Sequence, residues 1–226
     1  MAATLRVMLP AVGVRPEQFA VMDTWIAGML DLLNAHFVQH RFLFGDRPKL
    51  CVWSTVCTGT LGRDPWPARE LAAPRRHLRA WIDRMARPER PGGAASTPAL
   101  LADDQIPPTL TPVFQAIARE FVPLLQGINE QVRAKLANWP PSKLLPRRLD
   151  DVEVLIGLGR FRRVALPYSL WMAQRTLDVY RGMNPVEPQQ VRAWLGSIGG
   201  EQLLALDIPR LRLHGVRVAV ESGRLQ

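Results

Sequence analysis

The chain has 226 residues, with 29 Lys and Arg against 20 Asp and Glu, a net charge of +9 and 47% apolar residues. That balance excludes a low-hydrophobicity disordered chain, and no run reaches the roughly 18 consecutive apolar residues of a membrane span. It fits a globular protein long enough to bury an ample core.

In chain order, MAATLRVMLPAVGV lacks a charged leader region, a long apolar segment and a cleavage signal, so a cytoplasmic protein without a membrane partner is expected. Residues 1–15 are a lead-in ending at Pro16, which suits a first helical turn. From Glu17 to His40, Met22, Ile26, Met29, Leu33 and Phe37 recur at spacings of three and four, flanked by Trp25 and Leu30. This predicts an amphipathic helix whose stripe is core. His36 and His40 lie four apart near its end. With no third ligand nearby in sequence they read as helix-end histidines beside terminal carbonyls, and no metal is expected.

Phe42-Leu43-Phe44 ends this helix, Gly45 offers a left-handed stop, and Asp46-Arg47-Pro48 opens a further helix. Cys51 and Cys57 lie on opposite sides of that helix and read as free buried thiols, with Trp53 at its centre. Pro65-Trp66-Pro67 is a turn, and a helix is predicted from 68 to 86, broken or kinked at Pro74. Its apolar face is Leu78, Trp81, Ile82 and Met85; Arg75, Arg76, Arg79 and Arg87 form the other face, with Asp83 among them. Arg-rich composition alongside abundant Ala and Pro is what a GC-rich coding sequence produces. The Arg face is therefore read as solvated surface, with no nucleic-acid partner.

Residues 91–108 are rich in Pro, Gly and small polar residues and predict a linker. Leu110, Phe114, Ile117, Phe121, Leu125, Ile128, Val132 and Leu136 then keep helical spacing, with Thr111 as cap, Pro112 in the first turn and a kink at Pro123. Val152–Ile156 and Phe161–Leu166 flank Gly157-Leu158-Gly159-Arg160, predicting one small β-hairpin near 152–166. The glycines lack the Lys-Ser/Thr of a phosphate loop. Helices are predicted from Pro167 to Met183, with Leu170, Trp171, Gln174, Leu177 and Tyr180 on one face, and from Pro188, with Val191, Trp194, Leu195 and Ile198 inward and Gly199-Gly200 ending it. Asp103-Asp104 and Asp150-Asp151 read as turn formers, Ser169 lacks a nucleophile elbow, and Tyr168 reads as a packing residue.

Phe42-Leu43-Phe44-Gly45-Asp46-Arg47-Pro48 resembles the hallmark turn of the all-α C-terminal domain of the glutathione S-transferase family. Leu61-Gly62-Arg63-Asp64-Pro65 is similar to the helix exit of bacterial members, and PYSLWMAQRTLDVY to a branch with a long C-terminal extension. The resemblance implies a mainly α protein: a lead-in (1–15), a glutathione S-transferase C-terminal-like helical bundle (16–90), a linker (91–108) and a helical extension carrying the hairpin (109–226). It also implies an apolar-substrate wall at the start of the first helix, formed by Gln18, Met22 and Trp25. The family's thioredoxin-like domain, which activates glutathione, has no counterpart among these residues. No catalytic residue and no cofactor are therefore expected, with glutathione entering only if such a domain is supplied by a partner. Glutathione transfer by the chain alone is doubtful on this reading. The alternatives are a helical interaction module, for instance a homodimer, or a carrier of an apolar small molecule.

Overall fold

The computed structural model describes residues 9–45, 70, 72–86, 101, 105–140, 143–184 and 187–221. Residues 9–11 are helical and lead to Gly13 at φ 94°; Pro16, whose fixed φ suits a first helical turn, then sets up a 3-10 turn (Pro16–Gln18) that runs directly into α1 (Phe19–Gln39). Helices α2 (Arg76–Ala86) and α3 (Thr111–Leu136) follow, then strands β1 (Asp151–Ile156) and β2 (Gly159–Val164), helices α4 (Pro167–Arg181) and α5 (Glu187–Ser197), and strands β3 (Leu211–His214) and β4 (Arg217–Val220). The fold is mainly helical, as the periodicity predicts. The helix expected after Pro48, with Cys51, Trp53 and Cys57, lies outside the described residues, as does the 61–67 turn region. The chain divides into two compact units, Asp23–Phe114 and Met1–Met22 with Gln115–Gln226, the division falling inside α1 and α3.

In the Asp23–Phe114 unit the core is apolar where the sequence places it. Met29, Leu33 and Phe37 of α1 are buried, as are Leu78, Trp81 and Ile82 of α2. The Phe37 and Trp81 rings stack with centroids 4.7 Å apart. Arg75 departs from the expected Arg face. Residues 73 and 74 form a turn, so α2 starts only at Arg76 and Arg75 is not on its surface. Its side chain is 11% exposed and its Nε donates to Asp31 Oδ1 at 2.7 Å. Asn34, from α1, accepts the backbone N–H groups of His77 and Leu78 at its Oδ1, both at 3.1 Å. Those N–H groups lie in the first turn of α2, where no intrahelical acceptor exists, so Asn34 acts as a cap delivered from another helix. Asn34→Ala should cost about 1 kcal/mol, by analogy with ordinary N-caps. The check is the urea midpoint; an unshifted midpoint would show that water replaces the cap without loss.

Helix α3 starts differently from its expected Thr111 cap. Pro108–Leu110 form a 3-10 turn after Pro107, and Thr111 already has helical angles (φ −52°, ψ −48°). A residue in that conformation is inside the helix and cannot be its N-cap. Of the expected stripe Leu110, Leu125, Ile128 and Val132 are buried, but Phe121 is 43% exposed, and Val113, Ala118 and Val122 are buried beside them.

The other unit holds two hairpins rather than the single one expected. The first pairs Ile156 with Gly159 and Asp151 with Val164, around a Gly157-Leu158 turn in which Gly157 has φ 58°. Val152, Val154 and Ile156 point inward and Asp151, Glu153 and Leu155 outward, the period of two that strands impose. The second hairpin, Leu211 to Val220, turns at Gly215 with φ 60°. Its strands are four residues each, and their alternation of Arg with Leu and Val is too brief to stand out in the sequence.

Hydrogen bonds meet the outward hairpin edges at several positions. Arg162 turns its backbone away from β1, and Gln18 meets it twice: Gln18 Nε2 donates to Arg162 O at 3.0 Å, and Arg162 N donates to Gln18 Oε1 at 2.6 Å. Gln174 of α4 repeats the arrangement on β3, donating to Leu211 O at 3.1 Å and accepting from Leu211 N at 2.7 Å. A primary amide carries one acceptor and one donor side by side, so it completes a strand edge as a peptide group would. The outer edge of β4 is met by Leu145, whose N–H donates to Val218 O at 2.8 Å. On β1 the outward N–H and C=O groups of Glu153 and Leu155 have no partner among the described residues.

Candidate functional site

The three residues expected to line a substrate wall share the start of α1 but not one environment. Gln18 is 7% exposed and its amide is used inside the protein. Besides the two bonds to Arg162, Nε2 donates to Gly13 O at 2.7 Å. Close by, Arg15 grips Asp151 with two nitrogens at 2.7 and 2.9 Å, and this bond holds the Asp151 carboxyl below its ordinary range. Gly13, at φ 94°, lies so close to the Phe161 ring that a Cβ would meet it at 2.1 Å. Gln18 thus belongs to the joint between the lead-in and the first hairpin. Met22 and Trp25 are half-buried, and Phe19 before them is exposed. Among the described residues, Trp25 Nε1 is buried without a hydrogen-bond partner. A buried indole N–H usually finds an acceptor, so this is the one position of the three where a ligand oxygen would relieve a cost.

The helix-end histidines form a polar cluster in the Asp23–Phe114 unit. His36 is completely buried. Its Nε2 lies 3.3 Å from Phe42 O and its Nδ1 lies 2.7 Å from Thr109 Oγ1. A carbonyl can only accept, so Nε2 carries the hydrogen and Nδ1 accepts from the Thr109 hydroxyl. The His40 ring stacks on His36 with centroids 4.6 Å apart, and Phe37 meets it edge-on at 5.0 Å. Burial, the main cause, together with the neighbouring His40 and against the opposing effect of the Phe42 bond, lowers the His36 pKa from 6.5 to about 4. Both ring nitrogens are engaged, which leaves none for a metal. Among the described residues no group of three His, Cys, Asp or Glu is placed to hold a metal ion.

The remaining sequence candidates are dispersed. Asp103 and Asp104 lie outside the described residues, and Asp151 is paired with Arg15. Ser169 N–H bonds Leu166 O at 2.8 Å in the first turn of α4. Tyr168 is exposed, its ring 5.5 Å from that of Trp171, rather than packed inside. No described helix is long and apolar enough to cross a membrane. Sequence reasoning passed over the Gln18 and Gln174 clamps, the Asn34 cap and the Thr109 partner of His36. Only a polar residue interrupting an apolar stripe could have signalled them, as Gln174 does between Leu170 and Leu177. No protein-family model matches the chain, and neither a curated protein nor a solved structure is detectably similar to it.

Proposed function

We propose that the chain is a glutathione S-transferase C-terminal-like helical protein of the cytoplasm, contributing an apolar-substrate wall and unable to conjugate glutathione by itself. The observation that supports this most is the turn at residues 41–45; α1 ends at Gln39, before Phe42-Leu43-Phe44 rather than in it. Gly45 takes φ 94° and bridges back to Phe42, within the segment that resembles the family's hallmark turn. Met22 and Trp25, each half-buried, are the residues proposed for the wall; the Gln18 amide is taken up by the first hairpin. Thiol activation needs a donor aimed at the sulfur and groups that hold the peptide; in the family these belong to a thioredoxin-like domain, here a partner. The expected result is no glutathione binding by calorimetry and no conjugation of an aromatic electrophile above the uncatalysed rate. Turnover that disappears on substitution of a residue in this chain would overturn the proposal.

A second reading, an interaction or dimerisation module, is favoured by α4. Tyr168, Met172 and Val179 are all exposed and fall within about 40° of one another at 100° per residue. Gel filtration with light scattering separates the two readings, since a ligand wall alone leaves the chain monomeric.

A further inference from the structure

We propose that His36 is an acid-sensitive latch, which while neutral ties together the end of α1, the turn at residues 41–45 and the start of α3, and which releases that turn on taking up a proton. This goes beyond the proposed function and does not depend on it.

The geometry carries the proposal. One imidazole spans three separate pieces of chain: its own helix, the Phe42 carbonyl, and the Thr109 hydroxyl in the 3-10 turn that begins α3. The imidazole is wholly enclosed, so in the closed state its ring nitrogens depend on these two bonds. A second proton must go onto Nδ1, the nitrogen that accepts from Thr109. The hydroxyl then has to turn about and lose its acceptor, and a full charge is enclosed in the core. Nothing charged on the neighbouring described elements offsets it. From α1 the facing titratable group is His40, stacked on the ring. From the turn and α2, the Arg41 and Arg84 guanidinium groups lie 5.7 and 5.9 Å from the Phe42 ring centre. The start of α3 contributes only the neutral Thr109. Asp31, the acid nearest in sequence, is committed to Arg75.

The direction follows from the two states. Closed, His36 titrates near 4; opened to water, near its ordinary 6.5. Between those values opening takes up one proton, so the opening constant should rise by up to about tenfold per pH unit as pH falls. Above 6.5 both states are neutral and the dependence should vanish. Below 4 both are charged and the loss should level off.

The test is amide hydrogen exchange across pH 7.5 to 4, corrected for intrinsic rates, with the His36 ring followed by NMR. The His40 amide, bonded to His36 O, and the Leu110 amide, bonded to Pro107 O, report the two ends of the latch. Their protection should fall by up to about tenfold per pH unit between 6.5 and 4, while amides in the middle of α2 keep theirs. In His36→Gln the slope should disappear. Thr109→Val, which keeps the titrating ring, should open more readily at pH 7.5 and retain the slope. Should His36→Gln not fold, the ring titration and Thr109→Val decide. A slope that persists without His36, a flat profile in the native protein, or loss of α2 protection in step with the latch would each overturn the proposal.

Discussion

Replacing Trp81 with Ala should lower stability by about 3–5 kcal/mol, the range for removing a buried large aromatic. Trp81 is 2% exposed and stacks on the Phe37 ring of α1, so its removal leaves a cavity that two helices would have to collapse to fill. Interiors are packed closely enough that such collapse is incomplete. Trp81→Phe, which keeps an aromatic surface against Phe37, should lose markedly less. Urea unfolding followed by circular dichroism measures both. A Trp81→Ala loss below about 1 kcal/mol would mean that this stack is not the centre of its unit.

The next largest effect is expected at Gln18. Gln18→Ala strips a partner from Gly13 O, Arg162 O and Arg162 N together. An unsatisfied buried group costs about 1–3 kcal/mol, and some of these will find water, so a total of about 2–4 kcal/mol is expected. Gln18→Glu tests the donor alone: it sets a carboxylate oxygen against two carbonyls and should also destabilise. A residue that merely lined a ligand wall would behave otherwise, altering affinity for apolar ligands with little change in the unfolding midpoint. Finding that second pattern would return Gln18 to the ligand-facing residues.

How much of this was legible follows from which forces leave a periodic trace. Burial does. The α1 stripe of Met29, Leu33 and Phe37 and the α2 face of Leu78, Trp81 and Ile82 were readable because each is a repeat of three or four residues. The turn at Gly157 and the stop at Gly199, with φ 58° and 75°, were readable because positive φ favours glycine. Pairing across the chain leaves no such trace. Asn34 caps a helix more than forty positions away, and Gln18 meets Arg162 at a separation of 144. Arg75 departs from the predicted face for a related reason: the break at Pro74 leaves it outside the helix, which begins only at Arg76, so helical angles do not apply to it. The candidate site was legible as a location on α1 but not in its chemistry, because the use of the Gln18 amide depends on a hairpin distant in sequence.

Part of the β1 edge has no cover among the described residues, and this bears on how the protein behaves in a test tube. The amides of Gln18 and Gln174 and the Leu145 N–H each meet one outward position of the other three strands, whereas Glu153 and Leu155 of β1 have no such partner among the described residues, beside a fully exposed Leu158. An open edge is a template that other chains can extend, and charge is the usual deterrent. Here the deterrent is blunted, since Arg160 and Arg162 already neutralise the Glu153 carboxylate. Concentrated or long-stored samples therefore have a defined starting point for fibrous growth, and a lysine at position 155 would be the simplest guard against it.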